Sequence, residues 1–217
     1  MRRDRLKDVP LYLIAGAEQA VVPVEAFLDR VIGAGVRMVQ LRERSLGDRE
    51  LLAVARRFAD VCRRRGALFI VNDRTDIALL AGADGVHVGQ DDLKPAEVRA
   101  VAGDDFIVGL STHSPAQIDD ANGRDADYIG VGPVFATPTK PSAKAVGLEL
   151  VCYAAAHARA PFFAIGGIDS RTASVVCAAG ARAVSVLRAV TGSEMPEDAV
   201  KAILGAMAPA ARPPGAR

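Results

Sequence analysis

Eight short apolar runs recur along the chain, and a stretch of helical periodicity follows each one. This alternation limits the fold more than any other feature. The runs fall at 11–14, 36–41, 68–71, 85–88, 106–110, 128–131, 161–165 and 183–187. Each is too short for a helix and reads as a buried strand. The segments between them predict helices at 23–33, 48–65, 75–80, 95–101, from Ser114-Pro115 onward, 148–158, 171–179 and 196–207. The clearest is 48–65, with Leu51, Val54, Ala55, Phe58, Val61 and Cys62 on one face and Arg56, Arg57, Asp60 and Arg64 on the other. Asp48 reads as its cap and Gly66 as its stop. Strands joined through helices pair in parallel. Eight such units in 217 residues predict the α/β class and a single (β/α)8 TIM barrel. A doubly wound open sheet would need a phosphate fingerprint after an early strand, and the sequence has none. The barrel domain is expected over 11–207, with 1–10 as an N-terminal extension and 208–217 as a proline-bearing flexible tail.

The even-numbered runs share a loose repeat: Val36-x-x-Val39-x-Leu41, Ala83-x-x-Val86-x-Val88, Ala126-x-x-Ile129-x-Val131 and Ala181-x-x-Val184-x-Val186. It fits four equivalent places in one barrel.

Net charge is +1, which argues against a global field aimed at nucleic acid, so any anion site must be local. Cys62, Cys152 and Cys177 have no metal-ligand spacing and suit free thiols in a reducing cytosol. The basic N-terminus has no apolar run behind it before Pro10, and no run reaches the length of a membrane span. The expectation is a cytoplasmic protein with small-molecule substrates and neither nucleic acid nor membrane as partner. Self-association as a homo-oligomer is left open.

In a barrel the polar residues that follow the strands share one rim. Here they are Arg42, Glu43 and Arg44 after the second run, Asn72, Asp73 and Arg74 after the third, and Gln90, Asp91 and Asp92 after the fourth. Ser111, Thr112 and His113 follow the fifth, Gly166-Gly167 the seventh and Arg188 the eighth. The sixth leads into Gly132-Pro133-Val134-Phe135-Ala136-Thr137-Pro138-Thr139-Lys140-Pro141, a loop by its prolines. Thr137, Thr139 and Lys140 carry donors suited to phosphate oxygens, though a plain surface turn has the same composition. Arg42, Arg44 and Lys140 can clamp a polyanion, and Asp73 and Asp92 can hold Mg2+. Helix capping by the carboxylates and a solvated arginine pair are the plainer alternatives. Gly166-Gly167 and the end of the eighth strand offer a second anion site. Two such sites imply two phosphorylated substrates, or one with two ends. His87 reads as a packed core histidine, and His113 lacks an obvious partner.

Six of these segments, in order, resemble thiamine phosphate synthases. They are Gln40-Leu41-Arg42-Glu43-Arg44, Asn72-Asp73-Arg74, Gly85-Val86-His87-Val88-Gly89-Gln90-x-Asp92, Gly109-Leu110-Ser111-Thr112-His113, the 132–141 loop and Ala164-Ile165-Gly166-Gly167-Ile168. The resemblance implies a barrel enzyme that joins hydroxymethylpyrimidine diphosphate to a thiazole phosphate and releases pyrophosphate. By matched motif, Gln40, Arg42, Arg44, Asn72, Ser111 and Lys140 would hold the pyrimidine diphosphate. Asp73 and Asp92 would bind Mg2+, and Thr137, Thr139, Gly167, Leu187 and Arg188 would take the thiazole phosphate. Arg42, Arg44, Ser111 and Lys140 would act in catalysis. Arg44 replaces the family's usual lysine, and Arg188 stands where serine is common. The implied chemistry is dissociative: pyrophosphate leaves first, and the thiazole nitrogen attacks a pyrimidine methyl cation. Two rivals on the same barrel are a thiazole tautomerase-like isomerase and a non-catalytic sensor of thiamine precursors.

Overall fold

The computed structural model describes residues 2–17, 23–137 and 144–208. Its centre is a closed barrel of parallel strands paired in chain order. They are β1 (Leu11–Ala15), β2 (Met38–Leu41), β3 (Leu68–Asn72), β4 (Gly85–Val88), β5 (Ile107–Thr112), β6 (Tyr128–Val131), β7 (Phe162–Ile165) and β8 (Val184–Val186). Tyr12 of β1 pairs with Ser185 of β8 and with Met38 of β2, so the ring has no free edge.

Alternation along each strand sorts the side chains into two cores. Outward residues such as Leu13, Val39, Val71, Val108 and Val186 pack beneath the helices in one continuous cluster. Inward residues Tyr12, Met38, Leu68, Ile70, Ile107, Tyr128 and Phe163 fill the barrel as a second cluster. Tyr12, Tyr128 and Phe163 meet edge to face, with centroids 5.3–5.8 Å apart. Leu6 and Val9 join this interior cluster, Leu6 from a 3-10 helix at Arg2–Asp8, so the N-terminal extension packs against the barrel. Every residue of the four-fold repeat belongs to the outer cluster, Ala126 at its margin. The repeat therefore marks strand positions covered by helices.

Around the barrel run α1 (Val24–Gly33), α2 (Asp48–Arg65), α3 (Thr75–Ala81), α4 (Pro95–Ala102), α5 (Pro115–Ala121), α6 (Gly147–His157), α7 (Ala173–Ala178), α8 (Arg188–Thr191) and α9 (Pro196–Met207). Helix α5 opens at Ser114-Pro115 as expected, and Ser114 caps it, accepting a hydrogen bond from the Gln117 N–H. Asp48 does not cap α2: Gly47 is the N-cap, and Asp48 turns to the Arg74 guanidinium at 2.7 Å. Helix α8 was not foreseen, because four residues carry no periodic signal. All three cysteines are free. Among the described residues no helix is long and apolar enough to cross a membrane.

One buried ionic knot ties α4 to β5 and β6. Arg99 donates to the carbonyls of Asp104, Phe106 and Asp125 and to the Asp127 carboxylate at 2.8 Å. Asp127 also accepts the Val108 N–H at 2.8 Å and ion-pairs with Arg3. Deleting one partner of such a pair strands the other. Arg99→Met is expected to cost about 3 kcal/mol, read as a lower urea midpoint with an unchanged slope. A loss below about 0.5 kcal/mol, the scale of an ordinary surface change, would show that the knot contributes little.

Candidate active site

The strands' C-terminal ends open into a cavity of about 470 Å³. Parity dictates its walls. Counting inward from the core, β1 supplies Ile14 above Tyr12, β2 supplies Gln40 and then Arg42, and β3 supplies Asn72. Ser111 comes from within β5, because that strand runs to Thr112 and not to Leu110 as the sequence suggested. Of the residues singled out from sequence, Gln40, Arg42, Asn72, Ser111, Thr137, Gly167, Leu187 and Arg188 all line this one cavity.

Arg44, Asp73 and Asp92 stand beside it and are coupled to it electrically. Among the described residues Asp73 is the one non-glycine residue held at positive φ, 60°, with its N–H donating to the His87 carbonyl at 2.8 Å. Burial raises its carboxyl above the ordinary range, and the Asp92 charge and a hydrogen bond between the two acids raise it further. Arg44 and Arg42 pull in the opposite direction. The Arg42 guanidinium is lowered by burial and by Arg44, with Asp73 offsetting both. Asp92 is oriented by the Gly89 N–H at 2.7 Å. Two arginines and two carboxylates thus share one patch of the rim. Arg74, the last residue of its motif, is instead committed to Asp76 and Asp48.

The opposite wall comes from the loop after β6, the β7 end and the first turn of α8. The loop is stitched down at both described ends: Val134 N–H to Ile165 O at 2.8 Å, Phe135 N–H to Gly166 O at 3.0 Å, and Val146 N–H to Pro133 O at 2.8 Å. Gly167 has φ +66°, and a Cβ on it would lie 2.7 Å from the Phe135 Cβ and 3.0 Å from the Ala136 carbonyl. Glycine is therefore required there by loop packing, whatever binds beside it. Leu187, Arg188 and Ala189 face this wall. Thr139 and Lys140 lie outside the described residues.

Sequence reasoning missed the polar floor. Tyr12, Tyr128 and His87 line the cavity from below and are joined by hydrogen bonds to Gln40 and Ser111. Counting back by twos from the rim residues would have found them. His113 does have a partner: its Nδ1 meets the Gly132 carbonyl at 2.5 Å.

Among the described residues no three His, Cys, Asp or Glu side chains gather as a metal cage. The Asp73–Asp92 pair still suits Mg2+, which takes one or two carboxylates and completes its shell with water and substrate phosphate.

Comparison with known proteins agrees with this geometry. The family model for thiamine monophosphate synthase matches residues 11–190. The thiamine-phosphate synthase of Acidothermus cellulolyticus is 47% identical over 208 residues, covering 95% of this chain and 98% of that protein. That of Gloeobacter violaceus is 45% identical over 194 residues, covering 89% of this chain and 56% of the relative, so the chain spans little more than half of that longer protein. Among solved structures, thiamine phosphate pyrophosphorylase from Pyrococcus furiosus superposes with a TM-score of 0.84 at 29% identity, over 92% of this chain and 95% of that one. A 3-hexulose-6-phosphate synthase superposes at 0.67 with 19% identity, over 92% and 100%, and shares the barrel alone. With the family model matched over residues 11–190 and a relative 47% identical that the chain covers almost entirely, the chain belongs to the thiamine monophosphate synthase family.

Proposed function

We propose that the protein is a thiamine phosphate synthase, a transferase that joins hydroxymethylpyrimidine diphosphate to thiazole phosphate, or its carboxylated form, and releases pyrophosphate. The observation that carries this reading is the pairing of Asp73 with Asp92 beside Arg42 and Arg44, at one end of a cavity whose other end is the Gly167–Arg188 wall. A tautomerase or a sensor of the thiazole alone has no need of the first end.

Arg42 and Arg44, with Lys140 of the neighbouring loop, hold the diphosphate and neutralise it as it leaves. Gln40, Asn72 and Ser111 orient the pyrimidine. Thr137, Thr139, Gly167, Leu187 and Arg188 seat the thiazole phosphate. Asp73 and Asp92 would hold Mg2+, which supplies charge to stabilise the departing pyrophosphate. Ile14, Phe163 and Ile165 give the cavity an apolar wall that keeps water from a pyrimidine methyl cation before the thiazole nitrogen reaches it. No strong base is needed. The expected setting is cytoplasmic, with the barrel over 11–207 as the catalytic domain.

The direct test is incubation of the purified protein with both substrates and Mg2+. Thiamine phosphate and pyrophosphate should form in equal amounts. Binding of both without pyrophosphate release would make it a sensor.

Asp73→Asn separates charge from fold. A carboxyl raised in the folded state stabilises the protein below its ordinary value, and that contribution is lost as pH rises through the raised one. Above that raised value the ionised Asp73 carboxylate is therefore a cost. Without Mg2+ the variant should melt about 2–4 °C higher than the parent. Excess Mg2+ should remove the difference, and turnover should fall about 10²-fold. A lower melting point without metal would sink the idea of a strained acid pair.

Gly167→Ala should cost about 1–3 kcal/mol, the range for a side chain forced to positive φ, because its Cβ meets Phe135 and Ala136. Displacing that loop should raise KM for thiazole phosphate and leave KM for the pyrimidine diphosphate nearly unchanged. Equal rises in both, measured beside a thermal melt, would reduce Gly167 to a general turn residue.

A further inference from the structure

Five side chains from five strands form one unbroken hydrogen-bonded chain across the barrel. Gln40 Nε2 donates to the Tyr12 hydroxyl at 2.5 Å, and Tyr12 meets the Tyr128 hydroxyl at 2.9 Å. Tyr128 meets His87 Nδ1 at 3.0 Å, and His87 Nε2 meets Ser111 Oγ at 2.9 Å. Both tyrosines are fully buried, and both ends of the chain face the cavity.

Room for this chain has been left by the neighbouring strands. A Cβ on Gly109 of β5 would sit 2.1 Å from Tyr128 Cζ, 2.4 Å from its hydroxyl oxygen and 2.5 Å from His87 Nδ1. A Cβ on Gly130 of β6 would lie 3.4 Å from the His87 Cε1, against the other part of the imidazole. Any side chain at 109 would drive Tyr128 and His87 apart.

Proton counting then gives the chain a direction. An amide NH2 can only donate, and each phenol has one hydrogen. Tyr12 accepts from Gln40, and because Tyr128 is the partner this buried chain offers its one hydrogen, Tyr12 donates to Tyr128. Tyr128 passes its own to His87 Nδ1. An Nδ1 that accepts carries no proton, so the neutral ring keeps its hydrogen on Nε2 and donates it to Ser111 Oγ. Burial raises both phenols, which keeps them protonated as the count requires. The Ser111 hydrogen is the one left with no acceptor inside the chain.

We propose that His87 is a positioning residue: held as the Nε2–H tautomer by Tyr128, it turns the Ser111 hydroxyl hydrogen into the cavity, toward an acceptor nitrogen of the pyrimidine ring. This rests on the reading that the pyrimidine substrate binds at that end. The direction of the chain stands on its own geometry. Reversal at Gln40, with its carbonyl toward Tyr12, would reverse every proton: Ser111 would give its hydrogen to His87 Nε2 and could only accept from a ligand.

The test is a long-range 1H–15N correlation spectrum of protein labelled at histidine. With three histidines in the chain, His87 is identified by the signal lost in His87→Gln. The expected pattern is Nε2–H in the parent and a mixture of tautomers in Tyr128→Phe, which removes the donor to Nδ1. An Nδ1–H pattern for His87 in the parent overturns the proposal. In kinetics, Tyr128→Phe touches neither diphosphate nor metal groups. It should lower kcat/KM for the pyrimidine diphosphate about tenfold or more, as expected for a misplaced orienting group, and leave KM for the thiazole phosphate unchanged. Unaltered kinetics in a folded variant with mixed tautomers also overturns it. Failure of the parent to couple the two substrates would overturn the functional reading and the ligand half of this proposal, while the spectrum still decides the tautomer.

Discussion

Closure of the strand ring is the constraint on which everything else depends. Once β8 pairs back to β1, every second residue of each strand must face a common interior and every other one must face the helices. The interior then has to change character along its length. Low in the barrel it holds Met38, Leu68 and Ile107, with Leu6 and Val9 beneath. In the middle it holds the aromatic trio of Tyr12, Tyr128 and Phe163. Gln40, Asn72 and Ser111 occupy the top. The site is the upper layer of the same packed column, so its side chains stand on rigid strand ends and need little ordering when substrate arrives.

The outer layer of this arrangement was legible in the sequence, and the inner one was not. Val86-x-Val88 or Val184-x-Val186 reads as strand because outward positions are uniformly apolar beneath helices. Inward positions have no such uniformity. The ring at the level of His87 also includes Asn72, Gly109 and Tyr128, chosen to fit one another across the barrel and not to follow a pattern along the chain. That is why His87 could be read as core but not as a bridge between Tyr128 and Ser111. The same blindness ended β5 early. Ser111 and Thr112 look like a strand's end in sequence, yet a polar residue at a barrel's inward upper position faces the cavity, and Thr112 bonds back to the Gly130 carbonyl. Asp48 failed as a cap for a related reason: its partner, Arg74, is remote in sequence. Rim residues were legible because each follows a recognisable strand, and closure gathers strand ends regardless of their order.

The rim also concentrates like charges at some cost. Arg44 opposes the charged state of Arg42, and Asp92 that of Asp73, and the neighbouring opposite charges relieve the two only in part. Asp73 adds a positive φ. The proposed diphosphate beside the arginines and Mg2+ between the acids would relieve both. The opposite end of the barrel follows the reverse rule. There Arg99 satisfies Asp127 and three carbonyls, and stability resides where no ligand is expected.

Between those extremes runs the buried polar chain from Gln40 to Ser111. A buried network with every member bonded specifies one arrangement, whereas a half-satisfied one costs more than an apolar core. Here satisfaction has a further effect, because hydroxyls carry one hydrogen each and an imidazole must choose a tautomer. Fixing the donor at Gln40 fixes the hydrogen at Ser111 across the width of the barrel, through two buried phenols and a half-buried imidazole. Donor and acceptor roles at the cavity floor thereby become properties of the folded barrel. The absent side chain at Gly109 is part of that inheritance: without the space it leaves, Tyr128 and His87 could not meet.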